Sequence, residues 1–151
     1  MKRSRLLLVA QVVFLGAGIF PFSLEADEPR PVSSATPDRR LADARALVKA
    51  GKAAEAKGTL AALVASDPKN RDARKALLEA AALTKDWQLC NEQTAALEPF
   101  ADGEDVSMFY AAVALRETGS IASARALVKR ARPHLAANAF VNYYTKDILG
   151  N

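Results

Sequence analysis

The feature that most constrains this chain is a spacing. Gly51 is followed thirty-four residues later by Lys85, and thirty-four later again by Gly119. The same step carries Ala56 to Cys90 and Ala124, Leu63 to Leu97 and Ala131, and Pro99 to Pro133. Self-similarity at a fixed period of this length marks an array of helix–turn–helix units. One such unit cannot cover its own apolar face, so neighbours must stack to make a continuous core.

The best-preserved copy is Ala44–Asn70, ARALVKAGKAAEAKGTLAALVASDPKN. A helix is predicted to start just before it, with Thr36 as cap, Pro37 at the first helical position and Asp38 at the positive end of the helix dipole. Leu41, Ala44, Leu47 and Val48 then fall on one face. Gly51 supplies the left-handed conformation that stops a helix. The second helix carries Ala53, Ala56, Leu60, Leu63 and Val64 on one stripe and ends at Asp67-Pro68. Gly58 inside it costs about 1 kcal/mol against alanine, which its helix-forming neighbours absorb.

The next unit opens at Asn70 or Arg71, with Ala73, Ala76, Leu77, Ala80, Ala81 and Leu83 expected on the buried stripe. Lys85-Asp86 forms its turn, and Trp87, Cys90, Thr94 and Leu97 mark the second helix. That helix is predicted to end at Glu98, because proline inside a helix costs about 3 kcal/mol and Pro99 follows. The third unit opens near Asp105, shows Met108, Ala111, Ala112 and Leu115, and stops at Gly119. Ser120 then precedes Ile121, Ala124, Leu127, Val128 and Ala131. A last helix is expected over 136–149, with Phe140, Val141, Tyr144 and Ile148 on one face, covering the open end of the stack.

Residues 1–26 read differently. Lys2, Arg3 and Arg5 precede the apolar run Leu6–Phe20, and Pro21 and Ala26 follow. This is the three-part form of a secretory signal peptide, with cleavage expected after Ala26. The alternative is an uncleaved anchor whose basic end stays in the cytoplasm. Either way the rest of the chain is expected outside the cytoplasmic membrane, periplasmic or secreted in the first case and anchored facing outward in the second. Residues 27–35, DEPRPVSSA, have the composition of a flexible linker. The helical domain is expected over 36–151.

The charge balance argues against nucleic acid as a partner. Of 21 basic and 17 acidic residues, three basic and one acidic lie in 1–26, which leaves 18 and 16 and a net of +2. These charges alternate in sign along the helices, whereas nucleic-acid binding favours a clustered basic face. The single cysteine, Cys90, cannot form an intramolecular disulfide and is expected to be a small core residue. His134 is the only histidine, and after Pro133 it reads as a helix-start or loop residue, not a general base. One His and one Cys do not supply a zinc site, and no phosphate-cradling glycine loop is present. No cofactor, metal or enzymatic activity is therefore expected, and a catalytic or ligand-binding role for His134 or Tyr143-Tyr144 is the weaker alternative.

With these residues in hand, 37 to about 135 resembles three tetratricopeptide repeats, at about 37–70, 71–104 and 105–135, with a capping helix at 136–149. In that family small residues sit where paired helices cross. Ala44 and Ala112 match the small position of the first helix, and Ala56, Cys90 and Ala124 match the small position early in the second. Leu63, Leu97 and Ala131 match the position late in the second helix, and Pro68 matches the proline between repeats. Leu78 is large where a small residue is expected, Lys85 replaces a turn glycine, and Arg40, Arg74 and Met108 stand where the family has its early tryptophan. Any all-helical hairpin solenoid would share the periodicity. The resemblance implies an all-α, right-handed superhelical array of antiparallel helix hairpins whose first helices line a concave groove. By helix phase, Arg45, Lys49, Lys75, Glu79, Phe109, Val113 and Arg116 fall off the buried stripes and are the candidate partner-binding residues. The partner implied is a protein or peptide. Contact with a membrane is expected only if the leader is retained, and self-association is possible in so short an array.

Overall fold

The computed structural model describes residues 36–150. The expected leader (1–26) and linker (27–35) lie outside the described residues. Within them the chain is all-α: α1 Pro37–Lys49, α2 Ala53–Ser66, α3 Arg71–Leu83, α4 Trp87–Leu97, α5 Asp105–Glu117, α6 Ile121–Ala131 and α7 Ala139–Leu149. A single 3-10 turn, Arg132–His134, follows α6. Each helix packs against the next, and α3 also touches α1 and α5.

The helix starts repeat the sequence period. Helices α1, α3, α5 and α7 begin at 37, 71, 105 and 139, each thirty-four residues after the last. The residue before each start is the cap. The Thr36 hydroxyl accepts from the Arg39 N–H at 3.4 Å, and Asn70 Oδ1 accepts from Ala73 at 2.9 Å. Asn138 Oδ1 accepts from Val141 at 2.9 Å. These caps satisfy amide groups that the first turn of a helix leaves without partners. The last helix was expected to begin near 136, and Asn138 moves its start to Ala139. It also places α7 in phase with the three first helices before it.

The turns repeat as closely. Gly51, Lys85 and Gly119 all take left-handed backbone, with φ of 78°, 58° and 89°. Each forms the same pair of closing bonds. The N–H groups of Gly51 and Lys52 donate to the carbonyls of Val48 and Leu47. Those of Lys85 and Asp86 donate to Ala82 and Ala81, and those of Gly119 and Ser120 donate to Arg116 and Leu115. This is the Schellman helix end, which uses up carbonyls that the helix cannot satisfy itself. Lysine in the middle turn keeps the geometry at a conformational cost that glycine avoids.

Two apolar clusters make the core, and α3 belongs to both. Its Ala73, Ala76, Leu77 and Ala80 join α1 and α2, around Ala56, Leu60 and Leu63. Its Leu78, Ala81 and Ala82 join α4 to α7, around Cys90, Leu97, Met108 and Val128. Leu78, the large residue where a small one was expected, is fully buried and fills the second cluster. Leu83, expected on the buried stripe, is instead 45% exposed. With α3 buried on two faces, the last residue of its final turn lies past both clusters.

Cys90 is fully buried, with its Sγ 3.9 Å from the Leu78 carbonyl. Burial, with a further contribution from the Asp86 charge, pushes the thiol up to about 12. The thiolate is the reactive form, so this sulfur is inert in the folded chain.

Two outcomes are expected. A Cβ at Gly51 or Gly119 meets no atom within 4 Å, so Gly51→Ala and Gly119→Ala cost only backbone conformation, about 1–2 kcal/mol each. Lys85→Gly removes the same strain and stabilises by up to about 1 kcal/mol, and urea unfolding midpoints should order the variants accordingly. Cys90 should resist a disulfide-exchange reagent in buffer and react fully in denaturing urea.

Candidate functional site

The side built by α1, α3, α5 and α7 carries two adjoining hollows. The first, of about 400 Å³, is walled by Leu83, Val106, Phe109, Tyr110, Leu135 and Phe140. The second, of about 220 Å³, is bordered by Arg45, Lys75, Glu79, Glu104 and Tyr110, with Val106 at its edge. Tyr110 and Val106 therefore line both, which makes one groove with an apolar half and a charged half.

Partly exposed apolar side chains gather in this half. Leu83, Val106 and Phe140 are 45%, 53% and 39% exposed, three of the most exposed large apolar residues in the described chain. The Phe140 ring lies 6.0 Å edge-on from Phe109 and 5.9 Å from Tyr110, so α7 is seated on α5 through aromatic contacts. Such pairs add about 0.5–1.5 kcal/mol beyond the area they bury.

The charged half is organised by Glu104. At this position a cap residue is expected by phase, but the Glu104 side chain turns elsewhere. Its Oε2 accepts from the Ala101 N–H at 2.9 Å and from Arg71 Nη2 at 2.7 Å, and its Oε1 accepts from Arg71 Nε at 3.3 Å. Arg71 also donates to the Leu97 carbonyl at 2.9 Å, and Lys75 lies 3.6 Å from Glu104. The hydrogen bond from Arg71 is the main cause that holds the Glu104 carboxyl below its ordinary value. The Glu104 side chain is only 8% exposed, so the fork-shaped Arg71 contact neutralises a group that could not be left bare there. Helical period predicted no such ion pair. Only the break in the cap series at 104, with Glu after Thr36 and Asn70, carries a trace of it in the sequence.

Glu79 has the opposite character. Burial raises its carboxyl above the ordinary value, against a long 3.5 Å hydrogen bond from the Tyr110 hydroxyl and the nearby charges of Arg45 and Lys49. Burial first and Glu79 second push the Tyr110 phenol up to about 12, so the hydroxyl remains a donor.

The candidate residues from the sequence divide three ways. Arg45, Lys75 and Glu79 come together in the charged half, with Lys49 exposed close by. Phe109 and Val113, expected off the buried stripe, are 2% and 1% exposed. Phe109 is covered by Phe140 of α7, and Val113 belongs to the same buried cluster. Arg116 is engaged by Asp147 of α7, at 3.1 Å in one of two contacts, and by Glu117 at 3.1 Å. It ties α5 to α7 outside both hollows. Phe109, though buried, still walls the apolar hollow, while Tyr110 and Val106, which helical phase did not single out, line both hollows. His134 borders a separate polar hollow with Asp102 and Arg130. Among the described residues no group of three or more His, Cys, Asp or Glu is placed to hold a metal ion. No helix among them is long and apolar enough to cross a membrane.

No protein-family model, characterised protein or solved structure matches the chain.

The two carboxylates should respond to acid with opposite sign. Glu104 contributes stability that is complete above its ordinary 4.5 and is lost as pH falls through its lower folded value. Glu104→Gln should therefore lower the urea midpoint at pH 7, with the difference shrinking in acid. Glu79→Gln should raise the midpoint at pH 7, because it removes a charge that burial disfavours. That gain should fade as pH falls through the raised folded value and vanish below 4.5, where the carboxyl is protonated both folded and unfolded.

Proposed function

We propose that the chain is an exported, non-enzymatic scaffold that holds a protein or peptide partner on the concave face of a right-handed, tetratricopeptide-like array of antiparallel helix hairpins. The observation that carries this reading is the groove in which Leu83, Val106 and Phe140 stay exposed beside a charged half. Apolar side chains gathered in a concave site and bordered by a few polar groups suit an interaction surface better than open solvent. Its walls come from first helices spaced thirty-four residues apart, the arrangement that the family resemblance implies. The signal-like leader supports export, and an intact mass corresponding to a chain beginning at Asp27 would separate a secreted form from an anchored one.

Photo-crosslinking in intact cells tests the groove. A photoreactive residue at Leu83 should give a discrete protein adduct that Val106→Asp abolishes, while the same probe at exposed Ala95 of α4 should give none. No adduct at Leu83, or the same adduct from both positions, would defeat the proposal.

A further inference from the structure

The two halves of the groove differ in what they leave unmet. In the charged half the cations are largely engaged. Arg45 donates to the Asp72 carbonyl at 3.2 Å and lies 3.5 Å from its carboxylate. Lys75 lies 2.7 Å from Asp72 and 3.6 Å from Glu104. Glu104 in turn is closed off by Arg71 and the Ala101 amide. Glu79 is the exception. Among the described residues it has no ion-pair partner within 4.0 Å, and its one side-chain hydrogen bond is the 3.5 Å contact from Tyr110. It borders the hollow all the same. A partly desolvated carboxylate with spare acceptor capacity gains most from a donor that brings positive charge.

The apolar half is contiguous with it through Tyr110 and Val106. At about 400 Å³ it has room for a bulky side chain, and its exposed walls lose water contact only when something fills it.

Resting on the groove reading above, we propose that its occupant is a peptide segment carrying a lysine or arginine whose head meets the Glu79 carboxylate, next to a large apolar residue seated among Leu83, Val106 and Phe140. The methylenes of the basic side chain lie against Tyr110, in the way long cations cover apolar surface. Arg45 and Lys49 already act on Glu79 by charge without touching it, so the arriving cation must make direct hydrogen bonds to prevail. An acidic segment is the opposite choice. To pair with Arg45 or Lys75 it would have to draw them away from Asp72 and Glu104, and meeting Lys49 instead would bring a second negative charge towards Glu79.

A random dodecapeptide phage library panned on the purified protein, followed by fluorescence anisotropy of the selected peptides, decides the matter. The expected selection pairs Lys or Arg with Leu, Phe or Trp a few positions away. Glu79→Gln should weaken the selected peptide about tenfold or more, as should replacing the basic residue of the peptide by alanine. Val106→Asp should abolish binding. If selected peptides are acidic, or Glu79→Gln leaves affinity unchanged while Val106→Asp removes it, the basic occupant is wrong and the groove stands. If no peptide is enriched, or Val106→Asp has no effect, both proposals fail. Circular dichroism of the two variants guards against misfolding, and an unfolded Val106→Asp would be replaced by Val106→Ser, read the same way.

Discussion

Helix α3 cannot bury its apolar side chains against one neighbour, and the rest of the molecule depends on that fact. Residues 73, 76, 77 and 80 close the core of the first unit, while 78, 81 and 82 begin the next core. A helix with apolar residues on one stripe could end a stack. A helix with two buried faces must sit in the middle of one. This is how a chain low in aromatics obtains its interior among the described residues, where seven short helices pack without any sheet.

Much of the fold was legible because the signals are local. The turn positions 51, 85 and 119, the cap Thr36 and the small residues Ala56, Cys90 and Ala124 all act within a few residues of themselves. Backbone conformation and capping chemistry are properties of short segments, so a single sequence displays them. Lys85 shows the limit of reading by residue type. Its register predicted a helix stop although its side chain did not, and its backbone follows the register.

The candidate site was less legible, because its composition depends on which helix covers which. Phase alone placed Phe109 and Val113 on an open face, and it did so by treating α5 as the last first helix. Once Phe140 of α7 lies against Phe109, that residue becomes a buried wall of the groove, and Tyr110 and Val106 supply its more open lining. Glu104 was invisible for a related reason. A glutamate between a glycine and an aspartate reads as solvated loop, and only the approach of Arg71 from thirty-three residues earlier makes it an interior anchor. Contacts of that range leave no periodic mark in composition or spacing.

The second helices of the units differ in a way the first helices do not. Helix α2 runs to Ser66, whereas α4 stops at Leu97, three residues short of the matching position 100, and α6 stops at Ala131, where the 3-10 turn carries the chain on to His134. Pro99 and Pro133 stand at the places where α2 has Ala65. Yet α5 and α7 still begin on schedule. What is held constant is contour length, and helix, loop and 3-10 turn are interchangeable ways of filling it. A residue gained or lost in the 98–104 loop could be absorbed locally. The same change inside α3 would rotate everything after it by about 100° and turn one of its two cores to water.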